Sequence, residues 1–119
     1  MKMNNLCALR DINRVVKAYE QQFFETFGIS LNEGMVICCI NQSEVNSSDI
    51  ASAIDLTMSN CSKIIKSIEN KGLITRAMGI EDKRHMFFKL TDQGKSLLAD
   101  IHQKSQPITD SLRVIFENH

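Results

Sequence analysis

Two helix-start signals stand close together in the middle of this chain, and they limit the folds open to it. The first is Asn46-Ser47-Ser48-Asp49 and the second is Thr57-Met58-Ser59-Asn60. Either Asn46 or Ser47 can offer a side-chain oxygen to the orphan amides of a helix start. Asp49 then falls in the first turn, where the helix dipole favours an acid. Thr57 is an equally good cap and leaves Met58 as the first helical residue. A short helix, with Ile50, Ala51 and Ile54 inward, must therefore turn tightly into a second one. That second helix is expected to run to Lys71 and stop at Gly72, a residue suited to the left-handed position after a helix end.

The flanking segments complete an order of elements. Leu6, Leu9, Ile12, Val15, Val16, Tyr19, Phe23 and Phe27 recur at spacings of three and four, which predicts a helix over 5–27 that ends at Gly28. A short helix is expected over 32–41, with Met35, Val36, Cys39 and Ile40 inward. After Gly72, residues 73–78 and 85–90 read as two strands joined by a hairpin loop, Gly79 to Arg84. Alternation puts Met86, Phe88 and Leu90 on one face of the second strand and His85, Phe87 and Lys89 on the other. Thr91 can cap a last helix with Asp92 in its first turn. That helix carries Leu97, Leu98, Ile101, Ile108, Leu112, Ile115 and Phe116, and Pro107 should bend it or split it in two. Gly94 costs about 1 kcal/mol inside a helix and so needs a reason; close approach of another backbone is the expected one. The fold class is mainly α with a small β-hairpin (α+β), laid out as a winged helix-turn-helix.

The helix over 58–71 has two distinct sides. At 100° per residue, Cys61, Ile64, Ile65 and Ile68 fall together. Ser59, Lys63, Lys66 and Asn70 lie nearly opposite, flanked by Ser62 and Ser67. A helix that reads the major groove needs this pairing of an apolar docking stripe with a polar face. Ser59 and Ser62 can exchange hydrogen bonds with several bases, and Met58 can touch a thymine methyl. Lys63 suits a guanine edge or a phosphate, and Lys66 a phosphate. The bland reading is that serines and lysines merely solvate an outer face. The tight turn and the short helix before it favour the reading face, because a helix-turn-helix presents its second helix this way.

Charge distribution agrees better with a polyanion partner than the total does. The formal net charge is zero, yet residues 57–95 hold eight bases against four acids. Residues 1–56 hold four bases against seven acids, so the basic residues gather in the middle of the chain. With 119 residues and 43% hydrophobic composition, one domain with a real core is expected, though with little surplus. No apolar run approaches the roughly 18 residues of a membrane span, and residues 1–14 lack the apolar centre of an export signal. The expected location is cytoplasmic. Cys7, Cys38, Cys39 and Cys61 form no CxxC pair. They are expected to be reduced thiols acting as small hydrophobes, and with His85, His102 and His119 they lack metal-ligand spacing. No nucleophile–base pair, phosphate-binding glycine loop or metal motif supports an enzyme, and no cofactor is expected.

Asp82-Lys83-Arg84, then five residues, then Leu90-Thr91-Asp92-Gln93-Gly94 resembles the wing signature of the MarR family of bacterial transcription regulators. The stretch from Ser59 through Gly72-Leu73-Ile74 to Arg76 is similar to that family's recognition helix and following strand. The resemblance spans residues 5–117 and is sharpest from Ile50 to Gly94. It implies a homodimer whose terminal helices, 1–29 and 93–119, interlock, while 30–92 form the DNA-binding core of a single domain. Relatives usually carry one further helix in that interface.

The resemblance also implies a repressor on a pseudo-palindromic operator, with helix 58–71 in the major groove and wing 79–85 in the minor groove. Arg84 inherits the minor-groove contact, with Asp82 bracing the tip or the arginine and Lys83 drawing phosphate. The expected DNA-binding set is Thr57, Met58, Ser59, Asn60, Ser62, Lys63, Lys66, Arg76, Asp82, Lys83 and Arg84. Many relatives respond to a small, often aromatic effector, whose identity here is unknown; no membrane partner is expected. Some relatives sense oxidants through a cysteine in the first helix, and Cys7 falls about two residues from that position. The alternatives are therefore a winged-helix protein-interaction module without DNA binding and a thiol-based redox-sensing regulator.

Overall fold

The structure, a computed structural model, describes residues 5–79, 86–105 and 107–118. The elements are α1 (Asn5–Phe27), α2 (Leu31–Gln42), α3 (Ser47–Ala53), α4 (Met58–Asn70), β1 (Ile74–Met78), β2 (Met86–Leu90), α5 (Asp92–Lys104) and α6 (Thr109–Asn118). They fall into two compact units. One holds residues 1–30 and 104–119, and the other runs from Leu31 to Gln103. The expected last helix is broken at Pro107 into α5 and α6. Among the described residues no single helix is long and apolar enough to cross a membrane.

In the unit of residues 31–103, α2, α3 and α4 pack around Val36, Ile37, Ile50, Cys61 and Ile68, each essentially fully buried. The inward face of α2 differs from the expected one. Val36, Ile37 and Ile40 are buried, while Met35 is 45% exposed and Cys39 is only half-buried. α2 is apolar through most of its circumference, so its periodicity does not single out a face. β1 and β2 pair antiparallel with Ile74 opposite Leu90 and Arg76 opposite Phe88. Alternation places Phe87 and Phe88 on opposite faces of β2 and does not say which face is covered. Both are buried, so β2 is covered on both faces at its centre. A bond from Phe88 N to Val45 O, 3.2 Å, ties the loop before α3 to this strand.

Four side-chain and backbone devices fix the ends of these elements. Asn46 is the cap of α3: its side chain accepts from Asp49 N at 2.8 Å, and Asp49 accepts from Asn46 N at 3.1 Å. α3 ends with Leu56 N bonded to Ala51 O at 2.9 Å, which puts Asp55 in the left-handed region at φ +55°. Thr57 caps α4 by accepting from Asn60 N at 3.1 Å. α4 closes the same way as α3, with Leu73 N on Ile68 O at 3.0 Å and Gly72 at φ +76°.

Asp55 is thus the pivot of the turn between α3 and α4. Aspartate tolerates the left-handed region, but a β-branched residue does not. Asp55→Val should lower the unfolding free energy by about 1–2 kcal/mol, whereas Asp55→Gly should not lower it. Urea denaturation measures both, and equal stability of the valine variant would remove strain from the account of this turn.

The other unit contains α1 and α6, which pack against each other. Ala8, Phe23 and Ile115 are buried there, and the Phe23 ring is stacked with Tyr19 and tilted against Phe27. Much of the apolar surface of both helices is left uncovered. Leu6 is 81% exposed, and Leu9, Phe24, Val114 and Phe116 are each more than half exposed.

Candidate nucleic-acid interface

α4 is held from both sides, and the hold leaves its polar face outward. Its apolar stripe, Cys61, Ile65 and Ile68, is buried, with Ile64 half-buried. On the α2 side, Ser67 donates to the Glu33 carboxylate at 2.9 Å and Lys71 Nζ donates to both carboxylate oxygens at 3.0 and 2.9 Å. Glu33 is the buried charged residue of the core, at 6% exposure. A buried carboxylate is costly unless it is paired, and here these two donors come from the last turn of α4 and its C-cap residue. They fix α4 to α2 in rotation as well as in distance.

On the β1 side, Arg76 pairs with Glu69 in bidentate fashion, Nε to Oε2 at 3.0 Å and Nη2 to Oε1 at 2.9 Å. The guanidinium lies 5.4 Å from the centre of the Phe88 ring, with Nη1 3.6 Å from the Met86 sulfur. The hydrogen bonds that Arg76 donates to Glu69 hold the arginine pKa above its usual value, against a smaller opposing effect of burial. The far end of α4 is joined to α5 through Thr91. Its hydroxyl donates to Gly72 O at 2.6 Å and accepts from Gly94 N at 3.1 Å. Gly94 lies against the Leu73 backbone, where a Cβ would stand 3.1 Å from the carbonyl carbon and overlap its oxygen. The expected reason for that glycine is therefore the observed one.

The expected site residues divide into three groups. Thr57, Met58, Ser59, Asn60, Ser62, Lys63 and Lys66 are all exposed and lie together on the first three turns of α4, with Met58 at 51% exposure. Asn60 stands about 100° around the helix from Ser59, at the edge of that face. Arg76 is exposed but engaged by Glu69. Asp82, Lys83 and Arg84 lie outside the described residues. Sequence reasoning missed Glu33, Glu69, Ser67 and Lys71 as the framework of the helix. Only the spacing of Ser67 and Lys71, four apart on one side of α4, hinted at a shared partner.

Cys39 and Cys61 present little reactive character. Burial, aided by the neighbouring Cys38 and Asp49, pushes the Cys39 thiol pKa up. Burial, aided by Cys39, does the same at Cys61, which has no exposed surface. Raised values disfavour the thiolate that oxidants attack.

Residues 31–94 match the family model described as a winged helix DNA-binding domain. The chain belongs to that family. Over 86 residues it is 27% identical to the HTH-type transcriptional regulator PapX of Escherichia coli, a match that covers 70% of this chain and 52% of PapX. The chain thus spans about half the length of this curated relative.

Three solved structures share the fold across nearly the whole chain. MepR of S. aureus, in a complex with DNA, is 23% identical at a TM-score of 0.73, covering 98% of this chain and 85% of that one. AbsC, a MarR family transcriptional regulator from Streptomyces coelicolor, is 23% identical at 0.69, covering 99% and 82%. BpsR of Bordetella bronchiseptica, whose DNA binding is regulated by 6-hydroxynicotinic acid, is 20% identical at 0.75, covering 93% and 79%. The architecture is therefore a MarR-like winged helix-turn-helix.

Proposed function

We propose that this protein is a sequence-specific DNA-binding transcription regulator of the MarR type, acting in the cytoplasm as a repressor rather than as an enzyme. The observation that carries this reading is the state of α4. Ser59, Ser62, Lys63, Lys66 and Met58 are exposed while ion pairs and a buried stripe fix the rest of the helix. A rigid helix with an open polar face is what base-edge contacts require, because they depend on register. Segment 58–71 enters the major groove, with Ser59, Ser62 and Lys63 at base edges and Lys66 on phosphate. Wing 79–85 reaches the adjacent minor groove through Arg84, supported by Asp82 and Lys83. Residues 1–29 and 93–119 form the interface of a homodimer on a pseudo-palindromic operator.

The uncovered apolar residues of α1 and α6, Leu6, Leu9, Phe24, Val114 and Phe116, support the dimer, since a monomer would leave that surface in water. A small-molecule effector, as BpsR has, would act by changing the spacing of the two α4 helices. The raised thiol pKa values at Cys39 and Cys61 argue against redox sensing at those positions.

Lys66→Ala separates DNA backbone contact from mere solvation of a surface. It should weaken binding to every duplex alike and lower the slope of log affinity against log salt by about one per protomer. Fluorescence anisotropy over a salt series measures this, and an unchanged slope would take Lys66 out of the interface.

A further inference from the structure

Glu69 is an acid set among groups that should meet DNA. Ser62, Lys66 and Glu69 are spaced four and three residues apart, which stacks them in one row along α4. The row leads to Arg76, whose side chain is 53% exposed and whose Nε and Nη2 are both taken by the Glu69 carboxylate. Anchoring α4 to β1 does not rest on this pair alone. The Gly72 turn joins helix and strand through Leu73 N to Ile68 O, and Glu33 holds the opposite flank. A half-exposed ion pair adds little to stability. What it does change is the charge presented by this row: a guanidinium with a fork suited to phosphate is spent on an intramolecular carboxylate.

We propose that Glu69 withholds Arg76 from the DNA backbone, so that the sequence-independent part of binding is weaker than the cations of this face would otherwise give. This rests on α4 being the DNA-facing helix. Phosphate contacts add affinity without adding sequence information. Withholding one per protomer leaves base-edge contacts a larger share of the total, and it shortens residence on unrelated DNA. Arg76 keeps its charge in every state, so the restraint is the carboxylate and not a titration.

The test is Glu69→Gln in the full-length chain, titrated onto a mixed-sequence duplex at several salt concentrations. The variant should bind more tightly than wild type, with a slope steeper by about 0.9 per protomer. For two protomers on one duplex this makes the gain at ~50 mM salt about tenfold larger than at ~200 mM. Adding Arg76→Gln to the variant should cancel the gain. Circular dichroism and thermal melting confirm that both variants fold. If the pair is only a latch, Glu69→Gln binds no better or worse than wild type at an unchanged slope, and the proposal is overturned. A gain that survives Arg76→Gln also overturns it, because the lost acid then acts without the arginine. If wild type itself shows no salt-dependent binding, the DNA-binding reading fails first, and this proposal falls with it.

Discussion

Gly94→Ala is expected to lower the unfolding free energy by about 2–3 kcal/mol, even though alanine is the better helix former. The methyl would overlap the Leu73 carbonyl oxygen, and that atom belongs to backbone already fixed by the bond from Thr91 N at 3.0 Å. Relief requires the start of α5 to move away from the end of α4. Overpacking typically costs about 1–3 kcal/mol, occasionally more, and overlap with fixed backbone puts this case at the upper end or beyond. The gain in helix propensity returns only about 1 kcal/mol. The Thr91 bonds to Gly72 and Gly94 would be strained together, so the loss should appear as one cooperative change in the urea midpoint with an unchanged m-value. A variant as stable as wild type would mean that the junction of α4, β1 and α5 gives way easily. The positioning of α4 argued above would then be too rigid.

Lys71→Met should cost about 2 kcal/mol and should be largely repaired by Glu33→Gln. Removing the ammonium strips a buried carboxylate of the cation that both its oxygens contact. Breaking a fully buried pair costs about 3–5 kcal/mol. The Lys71 side chain is 39% exposed, so water shares the compensation and the expected loss is smaller. Glutamine in place of Glu33 removes the buried charge while keeping an acceptor for Ser67, so the double variant should recover at least half of the loss. A double-mutant cycle on urea denaturation gives the coupling directly. Additive effects of the two substitutions would show that the pair is not the lock between α2 and α4.

The parts of this fold that were legible in the sequence are those written in local chemistry. Asn46, Thr57 and Thr91 each accept from an amide three residues on, and Gly72 ends a helix in the left-handed region. Such devices need only a few neighbouring residues, so their spacing announces them. The close approach at Gly94 could be inferred because a glycine inside a helix is otherwise unfavourable.

What escaped depends on residues far apart in the chain or on faces without contrast. Glu33 in the first turn of α2 has the position of an ordinary dipole-favoured acid, yet it is buried against Ser67 and Lys71, 34 and 38 residues away. Glu69 and Arg76 are seven residues apart, but a helix end and a turn lie between them, so no single helical or strand period links the two. The inward face of α2 was misread because Met35, Val36, Ile37, Cys38, Cys39 and Ile40 are continuous and apolar. Alternation separates Phe87 from Phe88 but does not reveal that both faces of β2 are covered, as their burial shows. The exposed polar face of α4 was legible as a composition, but the clamps that hold the helix were not.

The central claim is that this chain reads a DNA sequence as a dimer through α4. It is tested most directly by selecting duplexes bound by the purified protein from a random pool, at two salt concentrations, and sequencing them. The account predicts one enriched pseudo-palindrome with half-sites about one helical turn, ~10 base pairs, apart, bound with an affinity that falls steeply as salt rises. Failure to enrich any motif at either salt concentration would contradict it and would favour a winged helix that contacts protein instead.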